Sequence, residues 1–213
     1  MSKERIPADY TEMDIQKAKL FDKKVRENFM PAIVSTVRQL TEDYDLEGVC
    51  VDVGSGTAVF AIELCRQSAL KIYALEKEKA LYEVARMNIE KEGLADRIIS
   101  VLGDAHYIPF DNEFADFIIS RGSYHCWQDK VQVFKGIYRV LKKEGIGFVG
   151  GGFGRYVAET ELNRMKSLRD RSLGEGVKAY SSPDKLKEVI IKAGIPNFRI
   201  IDDKAGVWAE IKK

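Results

Sequence analysis

The chain has 213 residues, of which 45% are hydrophobic and 31% are charged, the usage of an ordinary globular domain rather than of a fibrous or disordered protein. Its 34 basic and 33 acidic residues leave a net charge of +1, without the basic excess by which proteins hold nucleic-acid phosphates, so a nucleic-acid partner is disfavoured. The sequence has no apolar leader and no apolar run of about 18 residues, which predicts neither an export signal nor a membrane partner.

The N-terminal segment Thr11–Leu40 is predicted to be helical, because apolar residues recur there at helical spacing. Pro31 is expected to break or restart this helix. Residues 1–44 are therefore interpreted as a helical cap or lid, with Tyr10 or Phe21 covering a ligand. A helix that only packs on the domain explains the same pattern.

Strands and helices then alternate along the chain. Strands are predicted at Val49–Val53, Lys71–Leu75, Ile98–Leu102, Phe114–Ser120 and Ile146–Val149. Apolar residues at helical spacing lie between them, at Ala58–Cys65, Leu81–Ile89 and Val131–Leu141. Because each crossover helix must pack back on the sheet, this alternation predicts a parallel sheet.

The C-terminal part continues with a polar helix at Tyr156–Leu173. Ser182 and Pro183 then predict the start of another helix, as its N-cap and its first residue. Two final strands, Phe198–Ile201 and Val207–Ile211, predict a hairpin that adds an antiparallel strand at the far edge.

The fold class expected from these elements is α/β, a single doubly wound, Rossmann-like domain over residues 1–213. It comprises the cap at 1–44, a ligand-binding core at 45–154, and C-terminal helices with an edge hairpin at 155–213. The three cysteines, Cys50, Cys65 and Cys126, are odd in number and form no CxxC pair. They predict reduced thiols, a cytoplasmic protein and no metal site.

A Gly-x-Gly turn stands where the first strand becomes a helix, at Gly54, Ser55 and Gly56. Glycine lets the backbone turn sharply there and lets a ligand approach closely. Any α/β protein can carry such a turn for structural reasons, so this turn alone does not identify a ligand.

Carboxylates at three successive strand ends add weight to that turn. In a doubly wound fold these strand ends face one crevice. Asp52 can meet an ammonium group, Glu76 can accept both hydroxyls of a ribose, and Asp104 can accept from an adenine amino group.

These segments resemble the class I S-adenosylmethionine-dependent methyltransferases. The resemblance is carried by VDVGSGTA, ALE, GDAHYIPFDNEFADFII and LKKEG, between about Leu46 and Val149. It implies S-adenosyl-L-methionine as cofactor and a seven-stranded sheet in the order 3-2-1-4-5-7-6 with strand 7 antiparallel. The implied cofactor site comprises Asp52, Gly54, Ser55, Gly56, Glu76, Lys77, Asp104, Ala105, Arg121 and Gly122.

Two positions depart from the family pattern. Ala58 stands where many members have a third glycine, and Lys143-Glu144 replaces a Pro-Gly turn. Neither change is expected to touch the site. A nicotinamide dinucleotide fits less well, because its motif needs a small residue where Val59 stands, and a pyrophosphate disfavours the nearby Asp52 carboxylate.

The segment after the fourth strand is the expected acceptor side, since in the family it lies beneath the transferable methyl. His125 is a candidate general base or orienting group, and Arg121 a candidate to hold a carboxylate of cofactor or acceptor. A partly exposed histidine and an arginine paired with a structural acid are the alternatives. Cys126 shows no sign of an activated thiolate. The remaining predicted pocket residues are Tyr124, Trp127, Gly151 and Gly152.

Tyr124 and Trp127 at such positions are also typical of core packing, and the glycines at 150–154 also fit a flexible exit from the strand. The segments SRGS and GGGFG together resemble a subgroup of archaeal and bacterial methyltransferase-like proteins, without naming a substrate. The sequence therefore predicts an enzyme that methylates a small or medium-sized acceptor. A cofactor-binding subunit or sensor and a protein or nucleic-acid methyltransferase are the alternatives, and a homodimer is left open.

Overall fold

The computed structural model describes residues 12–173, 182–203 and 206–213. The helices are α1 (Glu12–Asp43), α2 (Val59–Arg66), α3 (Lys79–Lys91), α4 (Lys130–Val140), α5 (Glu159–Leu173) and α6 (Pro183–Lys192). The strands are β1 (Val49–Val53), β2 (Lys71–Glu76), β3 (Ile98–Leu102), β4 (Ala115–Arg121), β5 (Leu141–Gly152), β6 (Phe198–Asp203) and β7 (Gly206–Lys212).

The seven strands form one sheet in the order β3-β2-β1-β4-β5-β7-β6. Strands β1 to β5 pair in parallel, and β7 runs antiparallel to both β5 and β6. The predicted doubly wound topology and the C-terminal hairpin are thereby confirmed. The tip of the hairpin, at residues 204–205, lies outside the described residues.

Helices cover both faces of the sheet, as the apolar runs of its central strands require. Helices α1, α2 and α3 pack on one face, and α4 and α6 pack on the other. Side chains alternate along β1, so that Cys50 lies on the α1 side and Val51 and Val53 lie on the α4 side.

Helix α1 continues through Pro31, so the expected break there is wrong. Proline removes one backbone donor, but Pro31 lies on the exposed side, where water can hydrate the carbonyl left without its partner. The buried side chains that follow it, among them Ile33 and Val37, pack on the core and hold the helix together.

The fifth strand is longer than predicted and begins at Leu141 instead of Ile146. The pairing with β4 shifts from Ala115–Leu141 to Phe117–Ile146, so the segment between them is a bulge. Glu144 in this bulge has φ +64°, a conformation that costs an L residue free energy and that glycine adopts without strain.

No described helix is long and apolar enough to cross a membrane.

The glycine run at 150–154 serves close packing at the end of β5. A Cβ on Gly150 would lie 2.3 Å from the carbonyl oxygen of Val207 in β7. A Cβ on Gly154 would lie 2.4 Å from Ser35 Oγ in α1. Neighbouring elements therefore leave no room for a side chain at these two positions.

Candidate functional site

The carboxyl ends of β1 to β5 lie along one edge of the sheet, where the glycine turn follows β1. The N–H groups of Gly54 and Ser55 both donate to the carbonyl oxygen of Leu75, at 2.9 and 3.0 Å. Gly54 and Gly56 have φ +76° and +58°, so the turn depends on glycine. These bonds pin the turn to β2 with its backbone facing the crevice.

Glu76 closes this turn from the end of β2. Its Oε2 accepts the N–H of Gly56 at 2.8 Å. Its Oε1 accepts the N–H groups of Lys77 and Glu78, each at 2.9 Å. The carboxylate is thus held in one orientation at the edge where a ribose was predicted to bind.

Asp52 lies beside the turn, only 2% exposed. Burial, together with the neighbouring Glu76 carboxylate, raises the pKa of Asp52 from 3.8 to about 7, while the Arg121 guanidinium opposes the rise. Among the residues that the structure describes, Asp52 Oδ2 and Ser55 Oγ have no hydrogen-bond partner. Two buried polar atoms without partners at one turn indicate a ligand that supplies them.

The residues present fit S-adenosyl-L-methionine. Its ammonium group would meet the unpartnered Oδ2 of Asp52, and its ribose would lie at Glu76. The predicted adenine residue, Asp104, follows β3 and caps a short turn, where its Oδ1 accepts the N–H of His106 at 2.9 Å. Ala105 beside it is buried, and the exposed Lys77 follows Glu76.

Arg121 and Gly122 lie at the adjoining ends of β4 and β5. Arg121 Nη2 donates to the carbonyl oxygen of Gly152 at 3.1 Å, and Gly122 N–H donates to that of Gly150 at 2.8 Å. The guanidinium carbon lies 6.0 Å from the centre of the Phe60 ring. The structure therefore brings Arg121 and Gly152 together, with the Arg121 guanidinium close enough to Asp52 to act on its pKa.

Ser120 and Ser123 join β4 to the glycine turn, and sequence reasoning missed this role. Both hydroxyl oxygens lie within hydrogen-bond distance of the carbonyl oxygen of Val53, at 2.8 and 3.0 Å, and 2.5 Å from each other. A Cβ on Gly54 would lie 2.5 Å from the Ser123 Cβ. The SRGS segment thus fixes the spacing between the turn and the predicted acceptor side.

The predicted acceptor residues divide into buried and exposed members. Tyr124 and Trp127 are buried and pack against Phe134, with ring centres 6.1 Å from it in both cases. His125 is exposed, and its ring makes no hydrogen bond within the described part of the chain. Burial and the Lys130 ammonium lower its pKa below 6.5.

Cys126 is exposed, and burial of its sulfur raises the pKa of the thiol. A raised pKa leaves little thiolate at neutral pH, so Cys126 is a weak nucleophile. This agrees with the prediction that no activated thiolate is present.

Helix α1 lies close to the glycine turn. A Cβ on Gly56 would lie 3.7 Å from the Phe21 ring. Asn88 Nδ2 in α3 donates to Asp22 Oδ1 and to the carbonyl oxygen of Thr57, both at 2.9 Å. The N-terminal half of α1 is thereby tied to the turn. The other residue predicted for a lid, Tyr10, lies outside the described residues.

This fold is a doubly wound α/β domain with a glycine turn and carboxylates at the carboxyl ends of its parallel strands. Residues 51–149 match the family described as Methyltransferase domain. A solved structure of a candidate S-adenosyl-L-methionine-dependent methyltransferase from Methanococcus maripaludis is 29% identical, with a TM-score of 0.83, over 98% of this chain and 97% of that one.

Curated relatives match over less of their length. Protein-L-isoaspartate O-methyltransferase of Thermococcus onnurineus is 29% identical over 56% of this chain and 65% of its own. The mitochondrial arginine-hydroxylase NDUFAF5 of Mus musculus is 23% identical over 86% of this chain and 51% of its own. The chain thus spans between about half and two thirds of these relatives.

Residues 51–149 thus carry a methyltransferase domain, and these likenesses support the class I S-adenosylmethionine-dependent methyltransferase family for the chain. The predictions of family, fold and S-adenosyl-L-methionine as cofactor are confirmed. The roles of individual residues stay predictions.

Proposed function

We propose that the protein transfers the methyl group of S-adenosyl-L-methionine to a small-molecule acceptor in the cytoplasm. The observation that carries this proposal is the unpartnered Oδ2 of Asp52 beside the Glu76 carboxylate, at a turn built of backbone N–H groups. The cofactor supplies an activated methyl group. The protein then needs to align an acceptor with it and to exclude water.

His125 is the proposed general base or orienting group. Its lowered pKa keeps the ring neutral near pH 7, with a lone pair available to an acceptor proton. Arg121, whose Nη2 binds a carbonyl at the end of β5, is proposed to orient the acceptor or the carboxylate of the cofactor. We expect His125→Asn and Arg121→Lys to lower kcat more than they weaken cofactor binding.

Tyr124, Trp127, Gly151 and Gly152 are proposed to form the floor of the acceptor pocket. The N-terminal half of α1 is proposed to cover the cofactor, because Phe21 lies over Gly56 and Asn88 ties Asp22 to the turn.

A cytoplasmic location is supported by the free thiols of the three cysteines. A homodimer stays a prediction, which light scattering would test.

A small acceptor is supported by the net charge of +1 and by the proposed α1 cover over the glycine turn, which would narrow access to the crevice. A protein acceptor is the second candidate, since one relative is named a protein-L-isoaspartate O-methyltransferase. A relative named arginine-hydroxylase shows that likeness alone does not determine the reaction.

The test uses methyl-labelled cofactor and a cell extract divided by ultrafiltration into small molecules and macromolecules. We expect a labelled product, separated from unreacted cofactor by chromatography, in the small-molecule fraction with the wild type and none with Asp52→Asn. Label in the macromolecules would favour the protein acceptor. Cofactor binding without a labelled product in either fraction would favour a binding subunit or sensor.

A further inference from the structure

His106 bridges two segments of the site and was not among the predicted site residues. Its ring Nδ1 lies 2.6 Å from Asp104 Oδ1, the oxygen that its own backbone N–H also reaches. Its Nε2 lies 3.2 Å from the backbone nitrogen of Asp129. The His106 side chain is only 16% exposed; its contact with Asp104 is partly buried, and its contact with Asp129 lies at the surface.

The partners of His106 determine where its ring proton lies. The backbone N–H of Asp129 can only donate, so Nε2 must be the acceptor and carry no proton. The ring proton then lies on Nδ1, which donates to Asp104 Oδ1. A neutral imidazole thus satisfies a carboxylate on one side and an amide on the other.

Only one oxygen of Asp104 is used in this way. Oδ2 receives no hydrogen bond from the described residues, and the Asp104 side chain is 42% exposed. Burial raises the pKa of Asp104, but the hydrogen bonds from the backbone and ring of His106 and the Lys77 ammonium together lower it below 3.8. The carboxylate is therefore ionised and offers Oδ2 as an acceptor only.

The far side of His106 is fixed as well. Asp129 caps α4, where its Oδ1 accepts the N–H of Gln132 at 2.9 Å. Gln132 Nε2 donates in turn to the carbonyl oxygen of His106 at 3.3 Å. The imidazole is thereby held between the loop after β3 and the start of α4, with little freedom to turn.

We propose that His106 is a positioning residue that makes the cofactor site selective for adenine. It holds Oδ1 of Asp104, which leaves Oδ2 directed at the exocyclic amino group of the purine. A purine with a carbonyl at that position would present an acceptor to an acceptor and would be rejected. This proposal rests on the assignment of Asp104 to the adenine in the proposed function.

The test separates the two contacts of the ring. In His106→Asn the amide nitrogen replaces Nδ1 and keeps the bond to Asp104, whereas in His106→Gln the amide oxygen replaces Nε2 and keeps the bond to Asp129. His106→Ala removes both. Calorimetry would measure the binding of S-adenosylhomocysteine and of S-inosylhomocysteine, whose purine carries the carbonyl, with melting temperatures to show that each variant folds.

We expect His106→Ala and His106→Gln to bind S-adenosylhomocysteine about tenfold more weakly than the wild type, and His106→Asn to restore binding. Binding of the inosine analogue should be weak and nearly equal in all four proteins. Equal affinity of His106→Gln and His106→Asn, or an equal loss for both ligands, would overturn the proposal.

Asp104→Ala distinguishes the positioning role of His106 from the assignment of Asp104 to the adenine, on which that role rests. If Asp104→Ala weakens S-adenosylhomocysteine binding while His106→Ala does not, His106 has no positioning role and the cofactor site stands. If Asp104→Ala binds with wild-type affinity, the assignment of Asp104 to adenine is itself wrong.

Discussion

Asp52 is held where its ionisation costs free energy, because it is buried and faces the Glu76 carboxylate. In the unfolded chain Asp52 loses its proton near pH 3.8, whereas in the folded protein it keeps the proton up to about pH 7. Between these values the folded state binds more protons, so the stabilising contribution of Asp52 is lost as the pH rises through 7.

We therefore expect Asp52→Asn, which is neutral at every pH, to be more stable than the wild type above pH 7, by about 1 kcal/mol or more. Its free energy of unfolding should also vary less between pH 4 and pH 8. Urea denaturation across this range measures both. If the free energy of unfolding changed between pH 4 and pH 8 in the same way for the wild type and for Asp52→Asn, the raised pKa of Asp52 would be contradicted.

Residues of the site were predictable where their role is local. Asp52, Glu76 and Asp104 lie at or just after the carboxyl ends of β1, β2 and β3, and that position alone predicts them at the crevice. Ser123 and His106 were missed because their partners, Val53 and Asp129, lie 70 and 23 residues away along the chain. Such contacts depend on how strands and loops meet, which no short motif records.

At the scale of elements, the bulge at the start of β5 carries Glu144 in a left-handed conformation, exposed to water. Glu144→Gly should relieve this strain and raise the free energy of unfolding by about 0.5 kcal/mol. Lys143→Gly is the matched control, which should lower it. Chemical denaturation compares the two variants, and the opposite order would show that the bulge carries no strain.

Helix α1 retains a proline on its exposed side. Pro31→Ala restores a backbone donor and removes the clash with the preceding turn, so it should stabilise the protein by about 1–3 kcal/mol. A thermal melt measures this gain. Loss of stability would instead mean that the helix needs the proline at this point.

The predicted break at Pro31 failed because helix propensity is a local quantity. The buried side chains of α1, such as Ile33, Val37 and Leu40, gain more from packing on the sheet than one missing hydrogen bond costs. The packing of the glycine run at 150–154 could not be predicted from local sequence either, since the residues that exclude a Cβ there belong to α1 and β7.

At the scale of the whole molecule, the topology followed from the sequence because alternating strands and helices allow few chain paths. The cofactor should act on the whole fold, since its proposed site joins β1, β2, β3 and α1. At a concentration one hundred times its Kd, S-adenosyl-L-methionine should raise Tm by about 5–10 °C. A shift with NAD and none with S-adenosyl-L-methionine would contradict the identification of the ligand.

The most direct test of the account is a calorimetric titration of S-adenosyl-L-methionine into the wild type, Asp52→Asn and Asp45→Asn. Asp45 is exposed and precedes β1, at the opposite edge of the sheet from the turn. We expect Asp52→Asn to bind at least about tenfold more weakly and Asp45→Asn to bind like the wild type. Equal affinity in all three proteins would contradict the assignment of Asp52 to the cofactor site.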